Sequence, residues 1–298
     1  LAKIALKVDV DTLRGTREGV PRLLKVLDRQ GARATFLFSL GPDHTGWALR
    51  RVFRPGFLTK VSRTSVLSHY GLRTLMYGVL LPAPDIGRRA QHEMRAARKA
   101  GHECGIHCWD HVVWQDNVRL RDEAWTRGQM QRAHDRYVEV FGEAPATHGA
   151  AGWQMNAAAF RQIDAWQMPF ASDGRGVAPH VLTIDGQRCA HVQLPTTLPT
   201  LDELIGVAGV TEANVVPTLL AKTASARSQV FTLHAELEGG LLSSRFEELL
   251  EGWRAQGHEL VSLGDLYRSL DRSQLPSLPM RWGSVEGRSG ELIVEPAT

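Results

Sequence analysis

The sequence predicts an α/β fold in which a parallel sheet is closed, or nearly closed, into a barrel with its helices outside. Three observations carry that reading. The opening KIALKVDV alternates and is rich in β-branched residues, as a strand requires. EGVPRLLKVLDRQGA then has helical apolar spacing closed by Gly31, and ATFLFSL is again a strand, which completes a βαβ unit. The same alternation continues almost to the end of the chain, and such alternation favours a parallel sheet over an antiparallel one.

The later elements follow in order. IGRRAQHEMRAARKAG reads as a helix before the strand HECGIH, and RDEAWTRGQMQRAHDRYVEVFG as a helix before a short segment near Thr147. Short strands are expected near Pro169 to Ser172, His191 to Leu194 and Gln229 to Leu233. The helix SRFEELLEGWRAQG and the strand ELVSL close the pattern. Residues 1–276 therefore read as one barrel, and residues 277–298, which lack periodicity, as a loosely held tail.

Composition agrees with a packed core: 43% of the 298 residues are hydrophobic and 22% charged, so disorder is not expected as the main state. The three cysteines are odd in number and show no CxxC spacing, which fits a reducing compartment better than a disulfide scaffold. No stretch reads as a leader peptide or a membrane span.

One segment breaks the rhythm. Residues 47–85 carry Arg50, Arg51, Arg54, Lys60, Arg63 and Arg73 among Trp47, Phe53, Phe57, Tyr70 and Tyr77, with no acidic residue before Asp85. Basic groups favour anionic lipid while aromatic groups enter the interface, so Trp47, Arg50, Arg51, Phe53, Arg54 and Phe57 are candidates for a membrane-surface element. A basic helical excursion packed on the barrel is the plainer alternative. Nucleic acid is disfavoured, since no matching basic tract occurs elsewhere.

The chemistry centres on ECGIHCWDH at residues 103–111, which holds His107 and His111. Alone the pair is weak, because 12 histidines in 298 residues will sometimes fall at this spacing by chance. Two imidazoles and one carboxylate, however, make a site for a divalent cation with positions left open. VDVDT supplies carboxylates in Asp9 and Asp11 at the C-terminal end of the first strand, on the rim where strand ends of a parallel barrel converge. Both acids could instead cap the following turn. His234, in VFTLHAELEG, follows a β-rich run and reaches the same rim.

Taken together, VDVDT, ATFLFSLG, HCWDH and FTLH resemble, in order and spacing, the motifs of the polysaccharide deacetylases, metal-dependent amidases on an irregular (β/α)7-type barrel. DVDTLRGTREGVPRLL, SLGPD, HCWDHVVWQ, AAGWQ, SDGRG, LPTTLPTLDELIG and TLHAELEG are similar to one branch of it, the deformylases of lipid-linked 4-formamido-arabinose. The resemblance implies Asp11, His107 and His111 as metal ligands, Asp9 as general base and His234 as general acid. It also implies Asp173 as the acid that orients the catalytic histidine. The family's arginine-proline motif is replaced by THGAAGW, and Arg175 of SDGRG is expected to supply the missing positive charge. Ala150, Ala151 and Trp153 are expected to shape the acyl pocket, and Arg14 and Arg17 to meet the substrate phosphate.

The same resemblance implies one divalent metal ion, zinc, cobalt, manganese or iron, and a lipid-linked sugar phosphate as substrate. It implies a peripheral enzyme on the cytoplasmic face of the bacterial inner membrane, with no obligate protein partner. Two rivals differ in class: a deacetylase of N-acetylated glycans, and a non-catalytic, metal-stabilised membrane adaptor.

Overall fold

The computed structural model describes residues 1–48, 71–288 and 290–296. A parallel sheet forms its centre: β1 (Lys3–Val10), β2 (Thr35–Ser39), β3 (Glu103–Cys108) and β7 (Gln229–His234) lie in the order β3-β2-β1-β7. β8 (Glu259–Val261) pairs with the start of β1. A second sheet, in the order β4-β6-β5-β9, contains β4 (Phe170–Ala171), β5 (His180–Ile184), β6 (Gln187–Gln193) and β9 (Ser277–Pro279).

Irregular links join the two sheets into a ring. Ile106 N donates to Thr147 O at 3.1 Å and Gly149 N to Ile106 O at 2.9 Å, placing residues 147–149 beside β3. Ser172 N then donates to His148 O, Leu194 N to Ala171 O, and Thr197 N to Val230 O, which returns the ring to β7. The result is a barrel of parallel strand ends, as the alternation of elements predicts.

Helices cover the outside for the expected reason. In the helix Val20–Arg29, Val20, Leu23, Val26 and Leu27 form one buried stripe, each side chain contributing roughly 1.5–3 kcal/mol on burial. The long helix Glu123–Phe141 starts where the Asp122 side chain accepts from Trp125 N and stops at Gly142, whose φ of 74° a side chain would resist. β1 departs from a half-buried strand: Ile4, Leu6 and Val8 face the helices, but Lys7 and Asp9 are buried too, inside the barrel. β5 is absent from the sequence reading. It runs antiparallel to β6 through Asp185 and Gly186, both at positive φ, the hairpin that an Asp-Gly pair specifies.

The tail corrects an expectation. Its described residues, 277–288 and 290–296, are not loosely held: β9 pairs with β5, and β10 (Arg281–Gly283) pairs with β11 (Leu292–Val294). Arg175 N donates to Ile293 O at 2.9 Å and Glu295 N to Arg175 O at 2.8 Å, while Leu292 and Ile293 are buried. These strands are three residues long, too short for a period to show; the open edge of β5 provides the template for β9, and Arg175 that for β11.

Of the inserted segment, Arg50, Arg51, Phe53, Arg54 and Phe57 lie outside the described residues. Trp47 is half-buried, its ring stacked on His44 at 4.0 Å and its Nε1 donating to Gly78 O at 2.6 Å. Leu72, Val79 and Leu80 are exposed. Among the described residues no helix is long and apolar enough to cross a membrane.

Candidate metal centre

The site forms where the strand ends meet. Asp9 sits opposite His234 in the parallel register of β1 and β7, and Asp11 lies one residue past the end of β1. His107 is on β3, and His111 opens the next helix, whose cap Asp110 accepts from Val113 N and holds His44 Nδ1 at 2.5 Å. Asp11 lies between the two imidazoles, with Oδ1 3.2 Å from His107 Nε2 and Oδ2 3.4 Å from His111 Nε2. One ligand atom from each of the three lies within 4.8 Å of the others.

The donor set fits a cation. His107 Nδ1 is 2.6 Å from Gly149 O; a carbonyl only accepts, so Nδ1 carries the proton and Nε2 is left with its lone pair. That lone pair faces a carboxylate oxygen, and Asp9 Oδ1, Asp11 Oδ1 and His107 Nε2 are buried without a hydrogen-bond partner among the described residues. Acceptors facing one another in a buried site call for positive charge between them. Burial would raise the Asp11 carboxyl, but His111, His107 and His234 hold it well below the usual carboxylate range. Burial would lower the His107 imidazole, but Asp9 and Asp11 outweigh it and push it up. The pocket thus favours a cation from either side.

In a second group, Asp164, Cys189 and His191, the carboxylate is already satisfied and the thiol is held neutral. Asp164 Oδ1 already accepts from Ala190 N, His191 N and His191 Nδ1, and burial pushes the Cys189 thiol up to about 12.

Two expectations need correction. The positive charge beside Asp9 comes from Lys7, not Arg175: Lys7 Nζ is 3.4 Å from Asp9 Oδ2, with Lys7 completely buried and its ammonium 5.3 Å from the Trp153 ring centroid. Two positions back on β1, Lys7 shares the inward face of Asp9. Arg175 is instead paired with Glu203 at 2.5 Å and donates to Leu198 O. Asp173 does not bond the histidine of the rim: its Oδ1 holds His148 Nδ1 at 2.6 Å and accepts from Ala150 N, and its Oδ2 accepts from Gln193. It fixes the 147–150 wall, which the backbone already meets where Ser172 N donates to His148 O. For His234, burial lowers the imidazole, but Asp202, Asp11, Asp9 and Glu238 outweigh it and push it up.

Trp153 is buried rather than open to solvent, with Nε1 donating to Thr196 Oγ1 at 3.0 Å. The Arg175 and Arg288 guanidinium groups stand 4.9 and 4.3 Å from its ring centroid. Its φ of 54° is costly for a bulky residue, on the order of 1–3 kcal/mol. Ala150 and Ala151 are fully buried beside it. Arg14 pairs with Glu18, and Arg17 donates to Arg89 O. The sequence reading also missed two glutamates after His234. Burial and the Asp11 charge raise the Glu236 carboxyl to about 8, and burial raises Glu238 to about 7.

A closed parallel barrel whose strand ends gather two carboxylates, three imidazoles and a buried lysine is the frame of a deacetylase-type amide hydrolase. Residues 3–167 match the model of the Polysaccharide deacetylase family, and the chain belongs to that family. It is 34% identical over 266 residues, 89% of this chain and 86% of the relative, to the protein named Probable 4-deoxy-4-formamido-L-arabinose-phosphoundecaprenol deformylase ArnD in Shewanella sediminis. The protein of the same name in Wigglesworthia glossinidia brevipalpis is 29% identical over 278 residues, covering 93% and 96% of the two chains. In fold it is similar to a probable polysaccharide deacetylase of Pseudomonas aeruginosa PAO1, with a TM-score of 0.59, 16% identity and 92% of each chain covered. The Puue allantoinase gives a TM-score of 0.56 at 17% identity over 90% of each chain.

Proposed function

We propose that the chain hydrolyses the N-formyl amide of undecaprenyl phosphate 4-deoxy-4-formamido-L-arabinose, releasing formate and the 4-amino sugar lipid used to modify lipid A. The carrying observation is the convergence of Asp11, His107 and His111 within 4.8 Å, beside the Lys7–Asp9 pair and in register with His234. The likeness to proteins named for this deformylation supplies the substrate class.

Asp11, His107 and His111 would hold a divalent cation, of a kind that suits mixed oxygen and nitrogen donors. When bound, such a cation lowers the pKa of water and polarises a carbonyl oxygen. Asp9 acts as general base toward the attacking water, with Lys7 Nζ 3.4 Å from its Oδ2. His234, across the register from Asp9, donates the proton that lets the sugar amine leave. Asp202, the foremost of the charges that raise that imidazole against its burial, favours its protonated form. Trp153, Ala150 and Ala151 form the apolar wall of the acyl pocket, and Arg14 and Arg17 meet the phosphate.

A lipid carrier stays in the bilayer, so the enzyme works at the cytoplasmic face of the inner membrane. The basic, aromatic composition of residues 47–85 and the exposed Leu72, Val79 and Leu80 support that placement. The test is product identity. Purified protein given the lipid-linked formamido sugar should release formate, whereas acetate released from an N-acetylated glycan would favour the deacetylase reading.

A further inference from the structure

The carboxylate of Asp11 must be aimed at two imidazoles at once, yet its backbone lies past the end of β1, where the sheet no longer holds it. The last ladder bond between β1 and the β7 chain is Ala235 N to Asp9 O at 2.9 Å. Beyond it, one side-chain oxygen takes over. Glu236 Oε1 accepts from Asp11 N at 3.1 Å, from Thr12 N at 2.9 Å and from Thr12 Oγ1 at 2.8 Å. Thr12 Oγ1 in turn accepts from Gly15 N at 2.9 Å, so the bonds continue into the next turn. Glu236 is buried and more than 200 residues away in sequence, two positions past His234 at the end of β7.

The packing around this carboxylate is specific. A Cβ added at Gly15 would lie 1.9 Å from Glu236 Oε1, and one at Gly19 would lie 2.0 Å from Ala235 O. Two glycines of RGTREG thus make the room in which the β7 loop closes over the β1 loop.

We infer that Glu236 is the positioning residue of the metal centre: its Oε1 substitutes for a strand carbonyl and fixes the Asp11 carboxylate between His107 and His111. Groups that orient a metal ligand typically change metal affinity by roughly 10- to 100-fold when removed. This inference depends on the reading that Asp11, His107 and His111 hold a divalent cation.

The test is titration of the metal-stripped full chain with Co²⁺ and Zn²⁺ against a competing chelator, with the visible Co²⁺ spectrum recorded. Glu236→Gln keeps the acceptor oxygen at the same reach; Glu236→Asp keeps the carboxyl group but withdraws the oxygen by one methylene. Glu236→Gln should bind within a few-fold of wild type with an unchanged spectrum. Glu236→Asp and Glu236→Ala should bind roughly 10- to 100-fold more weakly. If Glu236→Ala fails to fold, the comparison of Asp with Gln decides. Wild-type affinity in Glu236→Asp, or equal loss in Glu236→Asp and Glu236→Gln, would overturn the inference. A wild-type chain that takes up no metal would overturn the metal reading itself.

Discussion

Lys7 and Asp9 form a fully buried ion pair on one inward face of β1, with Nζ 3.4 Å from Oδ2, and Asp9 Oδ1 lies 3.8 Å from His107 Nδ1. The base therefore has its counter-charge on its own strand. Lys7→Met preserves the side-chain volume and removes the charge. It is expected to lower kcat by about 10- to 100-fold, the scale of a lost fixed charge at a reacting centre, with metal content unchanged. Stability of the metal-free protein should fall by roughly 3–5 kcal/mol, because the Asp9 carboxylate is left buried without its counter-charge. Steady-state kinetics and metal analysis on one preparation check both parts.

Asp9→Asn and His234→Gln separate the proton-transfer roles from metal binding. Each should reduce kcat by about 10²- to 10⁴-fold, the usual worth of a positioned acid or base, while metal stoichiometry stays at the wild-type level. Loss of metal from either variant would place that residue among the ligands instead.

The C-terminal strands should matter for stability. Ending the chain at residue 276 removes β9 to β11 and exposes the surface that Leu292 and Ile293 cover. At roughly 2 kcal/mol for each buried side chain, Tm should fall on the order of 10 °C. It would also strip Glu203 of Arg288, whose Nε lies 2.6 Å from Oε1. Thermal denaturation of the shortened chain checks this, and an unchanged Tm would mean the tail is dispensable.

His102 gives a pH dependence far from the site. Burial, helped by Arg33, lowers its imidazole from 6.5 to about 4, and its Nδ1 accepts from Ala34 N at 3.3 Å. The unfolded chain then binds this proton more tightly than the folded one. Its contribution is complete above pH 6.5 and is lost as pH falls toward 4, on the order of 2 kcal/mol. Urea denaturation at pH 7.5 and pH 5 should show a smaller acid loss in His102→Gln than in wild type.

The sequence exposes some of this and conceals the rest for physical reasons. Asp9, Asp11, His107 and His111 could be placed together because they fall at strand ends, and a parallel barrel brings strand ends to one rim. Lys7 was concealed because a lysine in an alternating strand reads as a solvent-facing residue, whereas here the polar face of β1 points inward. Asp173 and Arg175 follow a strand of only two residues, which has no period from which to assign a direction. Glu236 and Glu238 look like surface acids after a histidine; only the fold turns them into buried acceptors. The Asp185–Gly186 hairpin is the exception, a local signal present in the sequence itself.

Formate release by the metal-loaded chain and by His107→Ala, before and after chelation, tests the central claim most directly. The expected result is formate from the lipid-linked formamido sugar, abolished by chelation, restored by a divalent metal, and absent from His107→Ala. Full activity in His107→Ala with stoichiometric metal, or activity that survives chelation, would contradict it.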